Sequence, residues 1–316
     1  MKKLLSMVLI FTLVLSMGAL AFGLEDADPV VINKELTIVN DETLNPAETF
    51  NFTVGTGVGV RDEVEIPAPA FSSNTFTIDI VEGELLGSTN IDLPEFTQVG
   101  VYTYPISEDE GNIAGFGYDQ GVYNLVITVI NDPDGDGFLR VITMTDDNNV
   151  KRDAFKNTFS AGDLTVNKLI AGNYADPNDE FEITVTVAPI GDAVINTDTI
   201  AWNTAEVNVS GPGNDGEYTA VYTLTGGNSF TIQNLPYDVT YTVVETNSGE
   251  GYEVEYDGNE EGEIILATHT TTITNTRDID INTGINLDNA PYVLILVGVA
   301  AGLVGFTMKR RLSNDK

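Results

Sequence analysis

Val30-Val31-Ile32-Asn33-Lys34-Glu35-Leu36-Thr37-Ile38 and Leu164-Thr165-Val166-Asn167-Lys168-Leu169-Ile170 read as strands with one face turned to a core. Successive strand side chains point to opposite faces, so residues of one parity share a face. Ile32, Leu36 and Ile38 share the parity of Lys34, and Leu164, Val166 and Ile170 share that of Lys168. Both ammonium groups therefore point inward. A buried lysine is rare unless it is paired or does chemistry, and here it occurs once in each half of the chain.

Working outward, the rest of the region between the two ends reads as all-β. Short runs of Val, Ile, Thr, Tyr and Phe alternate with Gly, Asn, Asp and Pro clusters at the spacing of a sandwich. Thr49–Phe52, Tyr123–Ile130, Phe181–Val187, Tyr218–Leu224 and Val239–Glu245 are examples. A weak internal repeat emerges when the lysines are aligned. Each half opens on its Lys strand and continues with a Phe-containing strand. A Tyr-containing strand ending in Glu follows, and the last strand ends Asn-Thr. The boundary falls at Ser160 to Asp163, too short for a flexible tether. The reading is two tandem β-sandwich domains, 24–160 and 161–277, between a leader (1–23) and a C-terminal signal (278–316).

The same parity test places more polar groups inside. Glu108 shares phase with Tyr102, Tyr104 and Ile106, and Glu245 with Val239, Tyr241 and Val243. Asn157 shares phase with Phe155 and Phe159, and Asn275 with Ile273. Each half thus buries one Lys, one Glu and one Asn in that order, a costly set to leave unpaired. Burial pushes a lysine toward its neutral, nucleophilic amine and a glutamic acid toward its protonated form. A neutral acid can donate a hydrogen bond to an amide oxygen while the amine attacks the Asn carbonyl carbon. Glu108 and Glu245 then shuttle protons as ammonia leaves. The product is a Lys–Asn isopeptide bond between first and last strands, formed once. That is self-maturation without turnover, so the chain is not read as an enzyme. The plainer alternative for a single triple is a buried Lys–Glu salt bridge with Asn capping a strand; two triples in matching order weigh against it.

Composition bounds the rest. The chain has 316 residues, no cysteine, one histidine and a net charge of −34. With no disulfide, an exported fold needs another source of stability. With no His/Cys cluster, no transition-metal site and no cofactor are expected. Such an acidic surface repels nucleic acid and anionic lipid. Asp132-Pro133-Asp134-Gly135-Asp136-Gly137 imitates the start of a calcium loop but has Thr143 where the pattern needs Glu, and reads as an acidic turn. Met1-Lys2-Lys3, the apolar run Leu4–Leu20 and Ala19-Leu20-Ala21 form an export signal. Tyr292–Met308 is apolar and closed by Lys309-Arg310-Arg311, a little short of the roughly 20 residues of a comfortable membrane span and held by its basic tail on the cytoplasmic side.

These stretches resemble a known family, the shaft pilins of Gram-positive bacteria of the streptococcal T-antigen type. The matching segments are the Lys34 strand, Tyr102–Glu108, Gly121–Val129 and Phe155–Thr158. In the second half they are Leu164–Lys168, Leu235–Glu245 and Thr274–Thr276. The resemblance implies Ig-like (CnaB-type) sandwiches, each with an intramolecular isopeptide bond, from the sets Lys34-Glu108-Asn157 and Lys168-Glu245-Asn275. Asp280-Ile281-Asn282-Thr283-Gly284, followed by the apolar run and basic tail, resembles a sortase sorting signal with cleavage between Thr283 and Gly284. Asn282 stands where pilin-sortase variants carry Pro. The implied partners are a sortase, neighbouring pilin subunits, cell-wall peptidoglycan and, before processing, the membrane. The implied location is the cell surface. Joining subunits needs a lysine. Between the leader and Thr283 the chain has Lys34, Lys151, Lys156 and Lys168, so Lys151 and Lys156 remain once the internal pair is used. Lys151, beside the Asp146–Asn149 turn, is the easier to reach. A non-polymerising surface adhesin or stalk with the same domains is the alternative function. An exported enzyme is a third class, disfavoured because no further polar constellation is left once both triples are assigned.

Overall fold

The computed structural model describes residues 30–280, apart from 134, 136 and 204–206, together with residue 299. The export signal, Tyr292–Met308 apart from Val299, and the Thr283–Gly284 bond lie outside the described residues. Among the described residues the architecture is all-β, and no helix is long and apolar enough to cross a membrane.

The first half contains β1 (Val30–Ile38), β2 (Glu48–Val54), β3 (Val58–Arg61), β4 (Val64–Ile66), β5 (Thr75–Ile80) and β6 (Leu86–Ile91). It continues with β7 (Gly100–Glu108), β8 (Phe116–Gly117), β9 (Val122–Asn131), β10 (Phe138–Thr145), β11 (Lys151–Arg152) and β12 (Phe155–Phe159). One sheet runs β6-β1-β12-β8; the facing sheet runs β11-β10-β9-β7-β2-β5, with β3 on β7 and β4 on β3. The second half contains β13 (Ala161–Ala171), β14 (Phe181–Pro189), β15 (Asn208–Ser210), β16 (Tyr218–Leu224) and β17 (Ser229–Pro236). It ends with β18 (Val239–Asn247), β19 (Glu253–Tyr256), β20 (Glu261–Glu263) and β21 (Thr268–Thr276). Its sheets run β17-β13-β21-β19 and β15-β16-β14-β18-β20.

Each pair of sheets encloses its own apolar core. The first is built on Phe50, Phe52, Tyr102, Tyr104, Ile106, Ile127, Phe155 and Phe159, the second on Val166, Ile183, Val185, Ile232, Leu235, Val243 and Ile273. Trp202 is partly buried against the second core. Alternation in the sequence becomes alternation of burial: along β7, Tyr102, Tyr104, Ile106 and Glu108 face inward.

Pro105 lies inside β7, where a missing N–H would ordinarily break a ladder. The strand manages this by changing partners there. β3 pairs with Val101–Thr103 and β2 with Ile106–Glu108, leaving a gap opposite Pro105. The Pro105 carbonyl still accepts from Gly55 N–H at 2.7 Å. Gly57 in the gap is pressed on the Tyr104 ring, and a Cβ there would come within 2.2 Å of it.

In each half the first and last strands are parallel neighbours, β1 with β12 and β13 with β21. Only Ser160 separates β12 from β13, so the last strand of one sandwich runs into the first of the next. The junction is held from several sides. Asn40 Nδ2 donates to Ala161 O and Tyr237 Oη, and Tyr237 N–H to Ser160 O. Ala114 N–H donates to Val194 O and Val194 N–H to Asn112 O, and Ala114 sits in the second core. Asn234 bonds Leu44 in both directions, accepting its N–H at 3.0 Å and donating to its carbonyl at 2.7 Å.

Asn234 has φ of 61°, a left-handed conformation that Asn and Gly tolerate. Asn234→Gly should therefore remove the two bonds to Leu44 without backbone strain. It should raise hydrogen exchange at Leu44 N–H by about fivefold, from a loss of about 1 kcal/mol, and leave both cores intact. Asn234→Ala should add strain and lower the melting temperature as well. Unchanged exchange at Leu44 in the Gly variant would show that these bonds do not hold the junction.

Candidate functional site

Each core contains a polar cluster in the same place. Lys34 on β1 and Asn157 on β12 lie on one sheet, and Glu108 reaches them from β7 on the facing sheet. In the second half Lys168 on β13 and Asn275 on β21 meet Glu245 from β18. The registers match. Lys34 lies opposite Phe155, two residues before Asn157; Lys168 lies opposite Ile273, two residues before Asn275. Lys34 and Lys168 are fully buried, as are the side chains of Glu108 and Glu245, and Asn157 and Asn275 are also buried. The structure thus brings together the six residues that the strand phases point inward.

In the first cluster Lys34 Nζ donates to Glu108 Oε2, and Asn157 Nδ2 donates to Glu108 Oε1 at 2.6 Å. In the second, Lys168 Nζ donates to Glu245 Oε2 at 2.8 Å and to Asn275 Oδ1, while Asn275 Nδ2 donates to Glu245 Oε1 at 2.6 Å. Aromatic rings cover the ammonium groups. Lys34 Nζ is 4.5 Å from the Phe50 ring centre, and Lys168 Nζ is 4.4 Å from that of Phe181.

The orientation of the amide differs from the expected one. A hydrogen bond from a protonated Glu to the amide oxygen would require that oxygen to face the carboxyl group. In both clusters the amide nitrogen faces it instead. Main-chain groups impose this choice: Asp119 N–H donates to Asn157 Oδ1 at 2.7 Å, and Asn275 Nδ2 donates to Ser248 O at 3.2 Å. An N–H can bond only the oxygen end of an amide and a carbonyl only the nitrogen end. Each Glu therefore bridges the lysine nitrogen and the amide nitrogen.

Electrostatics follow burial. Desolvation lowers the Lys34 pKa against the raising effect of its bond to Glu108, and raises the Glu108 pKa against the lowering effects of Lys34 and Asn157. Desolvation also lowers the Lys168 pKa. At the first site lysine and carboxyl are drawn toward the uncharged amine and acid, and at both sites the Glu side chain joins the lysine nitrogen to the amide nitrogen. That is the arrangement for acyl transfer from the amide to the amine.

The two outer lysines differ. Lys156 is on β12, and its Nζ pairs with Glu35 Oε2 at 2.8 Å, a bond that raises its pKa. Lys151 is exposed on β11 with no ion pair among the described residues. Beside it the Asp146 carboxylate accepts Asn148 N–H, Val150 N–H and the Arg152 guanidinium, making a firm turn. No cluster of three or more His, Cys, Asp or Glu able to hold a metal occurs among the described residues.

One group was invisible to strand phase: Asp119, on the loop between β8 and β9. Besides its N–H to Asn157, its carboxylate accepts Gly121 N–H, the Tyr123 hydroxyl and Lys156 N–H. The glycines of Gly117-Tyr118-Asp119-Gln120-Gly121 mark a turn, but nothing in that motif points at Asn157.

Comparison with known proteins fits this geometry. Residues 30–160 match the family described as the Spy0128-like isopeptide containing domain, and residues 162–277 match a domain of unknown function, DUF7601. A curated pilin of Streptococcus pyogenes serotype M1 is 23% identical over 308 residues, covering 89% of this chain and 90% of the relative. The solved major pilin from Streptococcus pyogenes has a TM-score of 0.53 at 20% identity, over 81% of this chain and all of that one. The T3.2 major pilin from the same species has a TM-score of 0.52 at 22% identity, over 80% and 99%. The chain is therefore similar in its first half to Spy0128-like isopeptide-containing domains, and along most of its length it shares the fold of the streptococcal major pilins.

Proposed function

We propose that the protein is the structural subunit of a covalently polymerised cell-surface pilus, cross-linked within each domain by a self-made Lys–Asn isopeptide bond. The observation that carries this is the twofold recurrence of one geometry: Lys on the first strand, Asn on the neighbouring last strand at a two-residue offset, and Glu touching both nitrogens from across the core.

The chemistry balances around the Glu. Glu108 Oε2 takes a proton from Lys34, and the resulting amine attacks Asn157 Cγ. The tetrahedral adduct collapses with cleavage of the Cγ–Nδ2 bond: Glu108, bonded to that nitrogen, supplies a proton to it and then takes the second proton from Nζ. One ammonia leaves, one amide joins Nζ to Cγ, and the former ion pair ends as a neutral amide beside a carboxylic acid. Glu245 serves Lys168 and Asn275 in the same way. Each site turns over once, so the chain is a self-modifying structural protein.

The bonds suit a fibre. Lys34 and Asn157 are 123 residues apart in sequence and Lys168 and Asn275 are 107. On the chain-entropy account, closing loops of this size adds about 4–5 kcal/mol each. Subunits are then joined by a sortase acting at Thr283-Gly284, through an acyl intermediate at Thr283 resolved by a lysine of the next subunit. Finished fibres end on cell-wall peptidoglycan. Lys151 is the better acceptor, exposed beside a firm turn, whereas Lys156 is engaged with Glu35 on a paired strand.

Residues 24–283 expressed alone should have an intact mass lower than the sequence mass by two ammonias. Glu108→Ala should restore one and Glu245→Ala the other, each variant unfolding at lower temperature than wild type. A wild-type mass equal to the sequence mass would leave only buried salt bridges. In cells, blots of wall extracts should show a high-mass ladder that Lys151→Ala abolishes and Lys156→Ala leaves in place. A single monomeric wild-type band would exclude polymerisation, and a ladder lost only with Lys156→Ala would reassign the acceptor.

A further inference from the structure

The two sites differ in what holds the amide oxygen, and that oxygen is where negative charge gathers as the tetrahedral adduct forms. At the second site Asn275 Oδ1 faces the nucleophile itself, Lys168 Nζ. At the first, Asn157 Oδ1 faces a main-chain donor, Asp119 N–H, at 2.7 Å. The tetrahedral oxyanion develops from this same atom, so the N–H is already aimed at where the charge gathers.

The donor is not free to drift. The Asp119 carboxylate accepts Lys156 N–H at 2.9 Å, and Lys156 immediately precedes Asn157 on β12. The same carboxylate accepts Gly121 N–H at 2.8 Å and the Tyr123 hydroxyl at 2.9 Å. Asp119 thus grips two consecutive residues of β12, one through its side chain and one through its own N–H. With three donors around it, the carboxylate leaves the N–H as the group aimed at the amide oxygen. Tyr123 in turn packs on Phe155, with ring centres 4.8 Å apart, which ties the loop to the core beside the reacting strand.

We infer that Asp119 N–H is the oxyanion donor for cross-linking at Asn157, and that the Asp119 carboxylate with Tyr123 is the positioning device that aims it. The inference rests on the isopeptide reading above. It makes maturation of the first domain separately adjustable, because the second site carries no counterpart among its described contacts.

The second site provides an internal clock for the test. Residues 24–283 are made by pulse-labelled cell-free synthesis, so that no cross-link precedes the assay; samples are quenched at intervals, and each cross-link is followed by intact mass and peptide mapping. Removing one oxyanion donor outright costs about 10²–10³ in rate. In Asp119→Ala the N–H survives but loses its aim, so Lys34–Asn157 bonding should slow by about tenfold or more, with Lys168–Asn275 bonding at the wild-type rate in the same molecules. Asp119→Asn retains an acceptor oxygen for Lys156 N–H and should recover part of the rate. Tyr123→Phe, which deletes only a hydroxyl, should slow the first bond and spare the second. If Asp119→Ala fails to fold, Asp119→Asn and Tyr123→Phe decide: wild-type rates at the first site in both would overturn the inference. Wild-type rates in Asp119→Ala would do the same. Wild-type protein that loses no ammonia at either site would overturn the isopeptide reading instead.

Discussion

Moving an ammonium group from water into an apolar core costs far more than a domain of this size can spare unless a matching charge goes with it. Even then, desolvation of both ions can cancel their attraction. Lys34 and Lys168 are fully buried, each against one Glu side chain that is itself fully buried. The two cores are thus held at a compromise, with the lysine pulled toward amine and, at the first site, the glutamate toward acid. Acylation of the lysine would remove the compromise, because a secondary amide carries no charge to desolvate. The residues that look least suited to a core are the ones whose reaction would make the core apolar.

This constraint explains the topology around the sites. A Lys–Asn bond would need its strands to be direct neighbours, and both Lys strands lie beside the final strand in parallel. In parallel neighbours the two side chains can face one core at a small offset, here two residues in each domain. The Glu must approach from above the pair without displacing either strand, which places it on the facing sheet. β7 and β18 supply it, at the far end of strands whose other inward residues are Tyr102, Tyr104 and Ile106 or Val239, Tyr241 and Val243.

Much of this was legible because strands have period two. Parity alone put Lys34, Glu108, Asn157, Lys168, Glu245 and Asn275 inside, and all-β architecture followed from the same alternation. What parity cannot reach is loop conformation. The orientation of the Asn157 amide depends on Asp119 N–H, which depends on a turn bounded by Gly117 and Gly121, and no periodicity reports where that turn points. The engagement of Lys156 is a cross-strand matter: Glu35 and Lys156 are register partners on parallel strands, which is visible only once the pairing is known. The partner change at Pro105 was hidden for the same reason. Asn234, at φ 61° and bonded to Leu44 of the other half, shows that the junction too rests on a loop.

The register has a mechanical consequence. Tension entering at β1 would cross at Lys34–Asn157 to β12, continue through Ser160 into β13, and cross again at Lys168–Asn275 to β21. On that route the load bypasses β2 to β11 and β14 to β20, where strands are joined only by hydrogen bonds. The two sandwiches would then act as spacers clamped to a covalent line, and their own folding stability would not limit the force the chain bears. A short, firmly held junction suits this arrangement, since a slack linker between two inextensible domains would supply the only compliance. The acidic surface, with net charge −34, is compatible with the same role: none of the load path depends on surface ion pairs, which contribute little and are screened by salt.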